Sequence, residues 1–237
     1  MATNYNPSVV TDGLVFALDA ANPKSYPGSG TTWYDIIGNR NGSFEGATYS
    51  SNDLGSVVLD GSNDYVQIPY DSYWDSNVFG TATNFTLESW CKPAEFVNWD
   101  TIVMKWNPSL GGWYSSHQGA SIWTNANGFQ AVFASGIASN PGGSHLVLSY
   151  STSTIKWYHV CFTGDGTNLI LYVDGVQRAF NYVSNRTTSV TTTTHGPTFG
   201  RRQYLQGSLS SYKFYTRGLT AAEVKQNFEA TRGRFGI

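Results

Sequence analysis

The stretch Ile155-Lys-Trp-Tyr-His-Val-Cys-Phe162, then Thr163-Gly-Asp-Gly166, Thr167-Asn-Leu-Ile-Leu-Tyr-Val173, Asp174-Gly175 and Val176-Gln-Arg-Ala-Phe-Asn-Tyr182, decides the fold. Its opening segment is β-branched and aromatic, the composition that fits a pleated, half-buried surface. Thr163 to Gly166 supplies turn residues that tolerate positive φ. Thr167 to Val173 then alternates, with Leu169, Leu171 and Val173 on one face and Ile170 and Tyr172 on the other. Asp174-Gly175 is the dipeptide that a type I′ hairpin turn demands. Consecutive antiparallel strands with apolar groups on both faces require a sheet covered on both sides. The expectation is therefore all-β: a two-sheet antiparallel jelly-roll sandwich.

Outward from this stretch the same signals recur. Gly13 to Asp19 is a short apolar strand, and Val57 to Gly61 and Tyr65 to Pro69 flank the turn Ser62-Asn63-Asp64. In the run from Phe85 to Lys92, Phe85, Leu87, Ser89 and Cys91 face one way and Thr86, Glu88, Trp90 and Lys92 the other. Thr101 to Trp106, Gly128 to Ser135, His145 to Tyr150, Thr198 to Arg202 and Gly207 to Thr216 complete the predicted strands. Asn107 to Asn127 reads as less regular, Ser72 to Val78 as one helical turn, and the polar tract Ser184 to Thr194 as strand or loop. One short C-terminal helix is expected, because Thr220-Ala-Ala-Glu223 is a capping box. Val224 and Phe228 share the face that packs down, and Gly233 marks the stop. No linker or composition break appears, so the domain reading is an arm, residues 1–12, and a single sandwich domain, residues 13–237.

A chain of 237 residues suffices for one large β domain. A net charge of −2 lacks the basic footprint of a nucleic-acid binder. No apolar run is long enough to span a bilayer. Met1 to Pro7 has neither the basic nor the apolar part of a secretory signal, which predicts a soluble protein made in a cytoplasm. Cys91 and Cys161 each fall inside a predicted strand and read as buried thiols, with a disulfide between them as the lesser alternative.

Glycan hydrolysis needs opposed carboxylates, one acting as acid and the other as nucleophile or base. Glu88 and Glu95 have no third acid in register, so hydrolysis is the least favoured activity. Asp60, Asn63 and Asp64 offer oxygen ligands for calcium. In a hairpin such side chains more often cap their own turn, and that reading is preferred, with calcium left open. Asp165 and Asp174 read the same way. His159 reads as a core or supporting residue, since no Ser or Cys motif accompanies it, and Arg201 and Arg202 beside Tyr204 read as solvated or interfacial. The candidate ligand surface is Trp106, Trp113, Tyr114, His117, Gln118 and Trp123, where indole rings would stack on sugar C–H faces and polar groups would meet the hydroxyls. The rival reading has these rings filling a core or meeting a partner protein.

Several of these segments have a familiar order. Leu59-Asp-Gly-Ser-Asn-Asp-Tyr-Val66, Phe85-Thr-Leu-Glu-Ser-Trp90, Trp157-Tyr-His-Val160 with Leu171-Tyr-Val-Asp-Gly175, and Gly207-Ser-Leu209 with Tyr212-Lys-Phe-Tyr-Thr-Arg-Gly-Leu-Thr-Ala-Ala-Glu-Val224 resemble the concanavalin A-like lectin/glucanase superfamily. Within it the resemblance is to laminin G-like domains, and it covers nearly the whole chain. Cys91 and Cys161 stand where such relatives usually carry small or branched apolar residues. Glucanases of the superfamily bear Glu-x-Asp-x-(x)-Glu on one strand, which is absent here, so the resemblance implies a non-enzymatic protein.

Gly13-Leu-Val-Phe-Ala-Leu-Asp-Ala-Ala-Asn-Pro-Lys-Ser-Tyr26, Trp33-Tyr-Asp35 and Asn227-Phe-Glu-Ala-Thr-Arg-Gly-Arg-Phe-Gly236 are similar to stretches in structural proteins of tailed bacteriophages, and also occur in bacterial surface proteins. That resemblance implies a virion surface protein made in the host cytoplasm, either capsid decoration or an adhesion module. Its implied partners are other virion proteins and a cell-surface glycan, without nucleic acid or membrane insertion, and with homo-oligomerisation open. No heptad run supplies a fibre stem, so the expected seat is directly on a capsid or tail surface, through a sandwich face or residues 1–12. The alternative is a free carbohydrate-binding lectin.

Overall fold

The computed structural model describes residues 7–52, 55–79, 83–105, 119–134, 145–183, 195–201 and 203–237. In chain order the first strands are β1 (Leu14–Asp19), β2 (Thr32–Trp33), β3 (Gly42–Glu45), β4 (Thr48–Ser50), β5 (Ser56–Asp60), β6 (Tyr65–Gln67), β7 (Asn84–Pro93) and β8 (Thr101–Lys105). There follow β9 (Gly119–Asn125), β10 (Gly128–Ala134), β11 (His145–Ser151), β12 (Tyr158–Asp165), β13 (Asn168–Val173), β14 (Val176–Tyr182), β15 (Pro197–Phe199) and β16 (Gln206–Tyr215). Helix α1 (Ser72–Asn77) lies between β6 and β7, helix α2 (Ala221–Thr231) follows β16, and a 3₁₀ turn, Arg232–Phe235, continues it.

These strands form two eight-stranded antiparallel sheets. The first runs β14-β13-β12-β7-β16-β5-β4, with β1 also on β16, and the second runs β11-β10-β9-β8-β15-β6-β3-β2. The long strand β16 organises the first sheet, because β7 pairs along one edge while β5 and β1 share the other.

The deciding stretch folds as its pattern predicts. Leu169, Leu171 and Val173 enter the main core, while Tyr172 and Ile170 pack on the opposite face with Cys161 and Tyr215. Asp174 and Gly175 both have positive φ, 53° and 71°, as a type I′ turn requires. The strand begins at Tyr158 rather than Ile155, which stays exposed, and it runs on through Gly164 to Asp165.

Between the sheets lies an aromatic core. Phe16 stacks on Phe214 at 4.8 Å, and Tyr212 stacks on Phe199 at 3.8 Å. The Tyr212 hydroxyl donates to the Ile102 carbonyl at 2.8 Å, joining β16 of one sheet to β8 of the other. A buried phenol with its donor satisfied contributes area without leaving an orphaned polar group. The cysteines sit on opposite faces of the first sheet, Cys91 in the main core and Cys161 in the cluster beyond it. Both are free thiols, so the disulfide alternative is excluded.

The sequence reading missed the short strands β2, β3 and β4 and the whole of β9. Ala120 and Ile122 of β9 enter the core and Trp123 points away, but Gly-Ala-Ser at its start are weak strand formers. Gly119 there has φ of 67°, and an added Cβ would lie 1.5 Å from the Phe79 carbonyl oxygen. The C-terminal helix keeps its predicted capping box. Its stop differs: Gly233 lies within the 3₁₀ turn, and the left-handed residue is Gly236.

Candidate functional site

The outer face of the first sheet is closed. Helix α2 lies over it, and Phe228 stacks on Trp90 at 5.9 Å while Phe235 stacks on the same indole at 4.1 Å. Beneath them Glu88, 1% exposed, accepts from Lys213 Nζ and from Asn227 Nδ2, each at 2.7 Å. His159 Nε2 stands 3.4 Å from the same carboxylate. Burial pushes the Glu88 carboxyl up, but the Lys213 and His159 charges outweigh it and hold the group well below the usual carboxylate range. Asn227 Oδ1 also accepts from the Val10 amide at 2.8 Å, so the node ties helix and N-terminal arm to the sheet. An acid held ionised, saturated with donors and sealed from solvent cannot reach a glycosidic bond. His159 is a supporting residue, as its sequence context suggests.

The outer face of the second sheet is different. Ile122 and Ala131 point into the core, so Trp123 and Val132, one residue along, point outward. With Met104 and the half-buried Trp99 they form a separate apolar cluster, in which Trp99 meets Trp123 edge-on at 5.5 Å. Trp99 has φ of 78°. The other described non-glycine residues with positive φ are Asn39 and Asp174, whose short polar side chains tolerate it. A tryptophan in this region is a genuine outlier. It is pinned there by hydrogen bonds from its amide to Thr124 O at 3.0 Å and from the Thr124 amide to Asp100 O at 2.8 Å. Such strain persists only where surroundings over-determine it, and it clusters at ligand-binding sites.

Asp100, immediately after Trp99, is 4% exposed. Burial, with the neighbouring charge of Glu95, pushes its pKa up to about 7. On the far side of this start of β8, Gly200 and Gln203 pack by backbone bonds, with Thr101 N donating to Gln203 O at 3.4 Å and Gly200 N to Thr101 O at 3.0 Å. Arg201 packs on β6, its guanidinium 4.5 Å over Tyr65 and donating to Gln67 Oε1 at 3.0 Å.

Of the six predicted ligand residues, Trp106, Trp113, Tyr114, His117 and Gln118 lie outside the described residues. Trp123 lies in the cluster just described, 2% exposed and covered by its neighbours. Trp99 opens the aromatic run from Trp99 to Trp123 that the sequence marks as the candidate ligand surface, although it is not one of the six residues singled out there; its positive φ is the signal that sets it apart. Among the described residues no group of three metal-ligating acids, cysteines or histidines is found. Asp60 caps its own hairpin, accepting from Ser62 N at 2.8 Å, and Asp64 accepts from Asp60 N at 3.1 Å, the turn role preferred from sequence.

The fold has many solved counterparts. A structure of botulinum neurotoxin type C, from work on its cell entry through two ganglioside molecules, aligns with a TM-score of 0.68 at 15% identity, covering 92% of this chain and 51% of that one. Domain 4 of AbnA, an extracellular arabinanase from Geobacillus stearothermophilus solved with arabinotriose, aligns at 0.62 and 14% identity, covering 90% of this chain and 97% of that domain. Trypanosoma rangeli sialidase with the inhibitor DANA aligns at 0.63 and 15% identity, covering 95% of this chain and 35% of the enzyme. The chain thus spans about half of the neurotoxin chain it matches. No curated protein sequence matches it. A laminin G family profile, described as Concanavalin A-like lectin/glucanases superfamily, matches residues 60–225. The chain belongs to this laminin G family of the concanavalin A-like lectin/glucanase superfamily.

Proposed function

We propose that this protein is a non-catalytic carbohydrate-binding domain, carried on the surface of a tailed-phage virion as capsid decoration or adhesion module. The observation that carries the binding reading is Trp99, held in a left-handed conformation and packed on Trp123 at the face that α2 does not cover. The likeness to arabinanase domain 4, solved with arabinotriose and matched almost end to end, supports a sugar as the ligand. The non-catalytic reading is supported by Glu88, whose carboxylate is sealed under α2 as an acceptor for Lys213 and Asn227. The virion role rests on the sequence resemblance of the two chain ends.

A glycan array with the purified protein tests the binding reading. Retention on defined oligosaccharides, with no reducing sugar released from the same compounds, is expected. Release of sugar, or an array without hits, would overturn it. Purified particles in which the chain is arrayed on a symmetric shell would support the virion role, and a chain found only free in the lysate would point to the lectin alternative.

A further inference from the structure

The open edges of the two sheets are not alike. An unpaired strand edge is a template for another chain, and folded proteins blunt it by shortness, bulges, charge or cover. Strand β2 is two residues long and β4 three. Strand β14 bulges at Arg178, where its register against β13 passes from Ala179 to Gln177. The outer edge of β1 is taken up by a loop, with Ala17 N donating to Asp35 Oδ1 and Ile36 N to Ala17 O, each at 3.0 Å. Strand β11 has none of these protections. It is seven residues long, pairs with β10 residue for residue, and ends the second sheet with no strand beyond it among the described residues. Leu146 to Ser151 contains no charge and no proline, and Val147 is 45% exposed.

In an antiparallel ladder, alternate residues turn both main-chain groups to the same neighbour. Thr152 N donates to Asn127 O at 2.7 Å, just past the end of the β10–β11 ladder. Tyr150, Leu148 and Leu146, in step with Thr152, therefore bond to β10, while Ser151, Ser149, Val147 and His145 turn their amides and carbonyls to the open side. We propose that β11 is a homodimer interface, pairing antiparallel with β11 of a second copy about a two-fold axis at Leu148. A two-fold interface uses one patch on both subunits, so the patch must complement itself. This one does. Val147 meets the partner's Ser149 and His145 the partner's Ser151, so outward-turned residues meet outward-turned residues, and about eight main-chain hydrogen bonds form. A typical interface carries about 10 ± 5. Leu148 of the core and Leu146 and Tyr150 packed against it continue their apolar row across the axis, and no like charges stand opposite each other.

The experiment is sedimentation of the full chain over a concentration series, with amide hydrogen exchange on the same samples. Expected is a species of twice the 26.0 kDa chain mass, in which the Val147, Ser149 and Ser151 amides are protected and lose that protection on dilution. Ser149→Pro removes an amide that β10 does not use, and proline is tolerated on the open side of an edge strand. It should weaken the dimer by about tenfold or more, since two bonds across the axis are lost, and keep the circular dichroism of wild type. Val147→Lys places on β11 the charge that natural edges carry, should weaken the dimer likewise, and decides the matter if the proline variant does not fold. Val176→Lys, on the bulged β14, should leave the dimer intact. A monomer at every concentration would overturn the proposal. So would a dimer whose β11 amides exchange freely, or one that a folded β11 variant leaves at wild-type strength.

Discussion

Burial pushes the carboxyl of Glu88 upward, but Lys213 and His159 beside it prevail, and the group stays ionised well below the ordinary carboxylate range. At Asp100 burial and Glu95 act in the same direction, and the pKa rises to about 7. The two acids therefore give opposite pH dependences. A lowered native pKa contributes stability that is present above the unfolded value, about 4.3 for Glu, and is lost as pH falls below it. A raised native pKa means the folded state binds the proton more tightly, so stability declines as pH climbs from the unfolded value, about 4 for Asp, to the native one. Urea titrations should therefore show wild type losing stability between pH 5 and pH 8 by more than Asp100→Asn does; parallel curves would contradict this. Glu88→Gln should cost about 3–5 kcal/mol in the same assay, the penalty for leaving a buried partner charge uncompensated. A cost within a few tenths of that of a surface substitution would show that Lys213 finds another acceptor.

At the scale of elements, what is local in sequence was legible and what is distant was not. The capping box of α2 could be read from Thr220 and Glu223 alone, and both reciprocal bonds are present. Thr220→Ala should lower stability by about 1 kcal/mol, measured by denaturant titration, and Thr220→Ser by much less. The reason the helix docks was hidden, because Asn227 reaches Glu88 across 139 positions of chain. Strand β9 was hidden for another reason: its Gly-Ala-Ser start looks like loop, and Gly119 is fixed by close approach to Phe79 rather than by a turn signal. The hairpin at Asp174-Gly175 lay in plain view, since its two residues alone specify its conformation.

For the molecule as a whole, the period-two pattern sufficed for the sandwich, because each strand declares two faces and both are covered. The site followed no such rule. Trp99 and Asp100 lie between strands, and their surroundings come from Thr124 on β9 and from Gly200 and Gln203 beside Thr101, residues with no sequence proximity to them. One sheet face is closed by α2 and holds its acid in a structural role; the other bears a strained tryptophan. The account's central claim is that sugar binds at this second face. Titrating the protein with an array-selected oligosaccharide, while following tryptophan indole N–H signals by NMR, tests it directly. The account predicts saturable shifts at Trp99 and Trp123 with Trp90, under the helix, unmoved; shifts at Trp90 and Trp157 with Trp99 and Trp123 silent would contradict it.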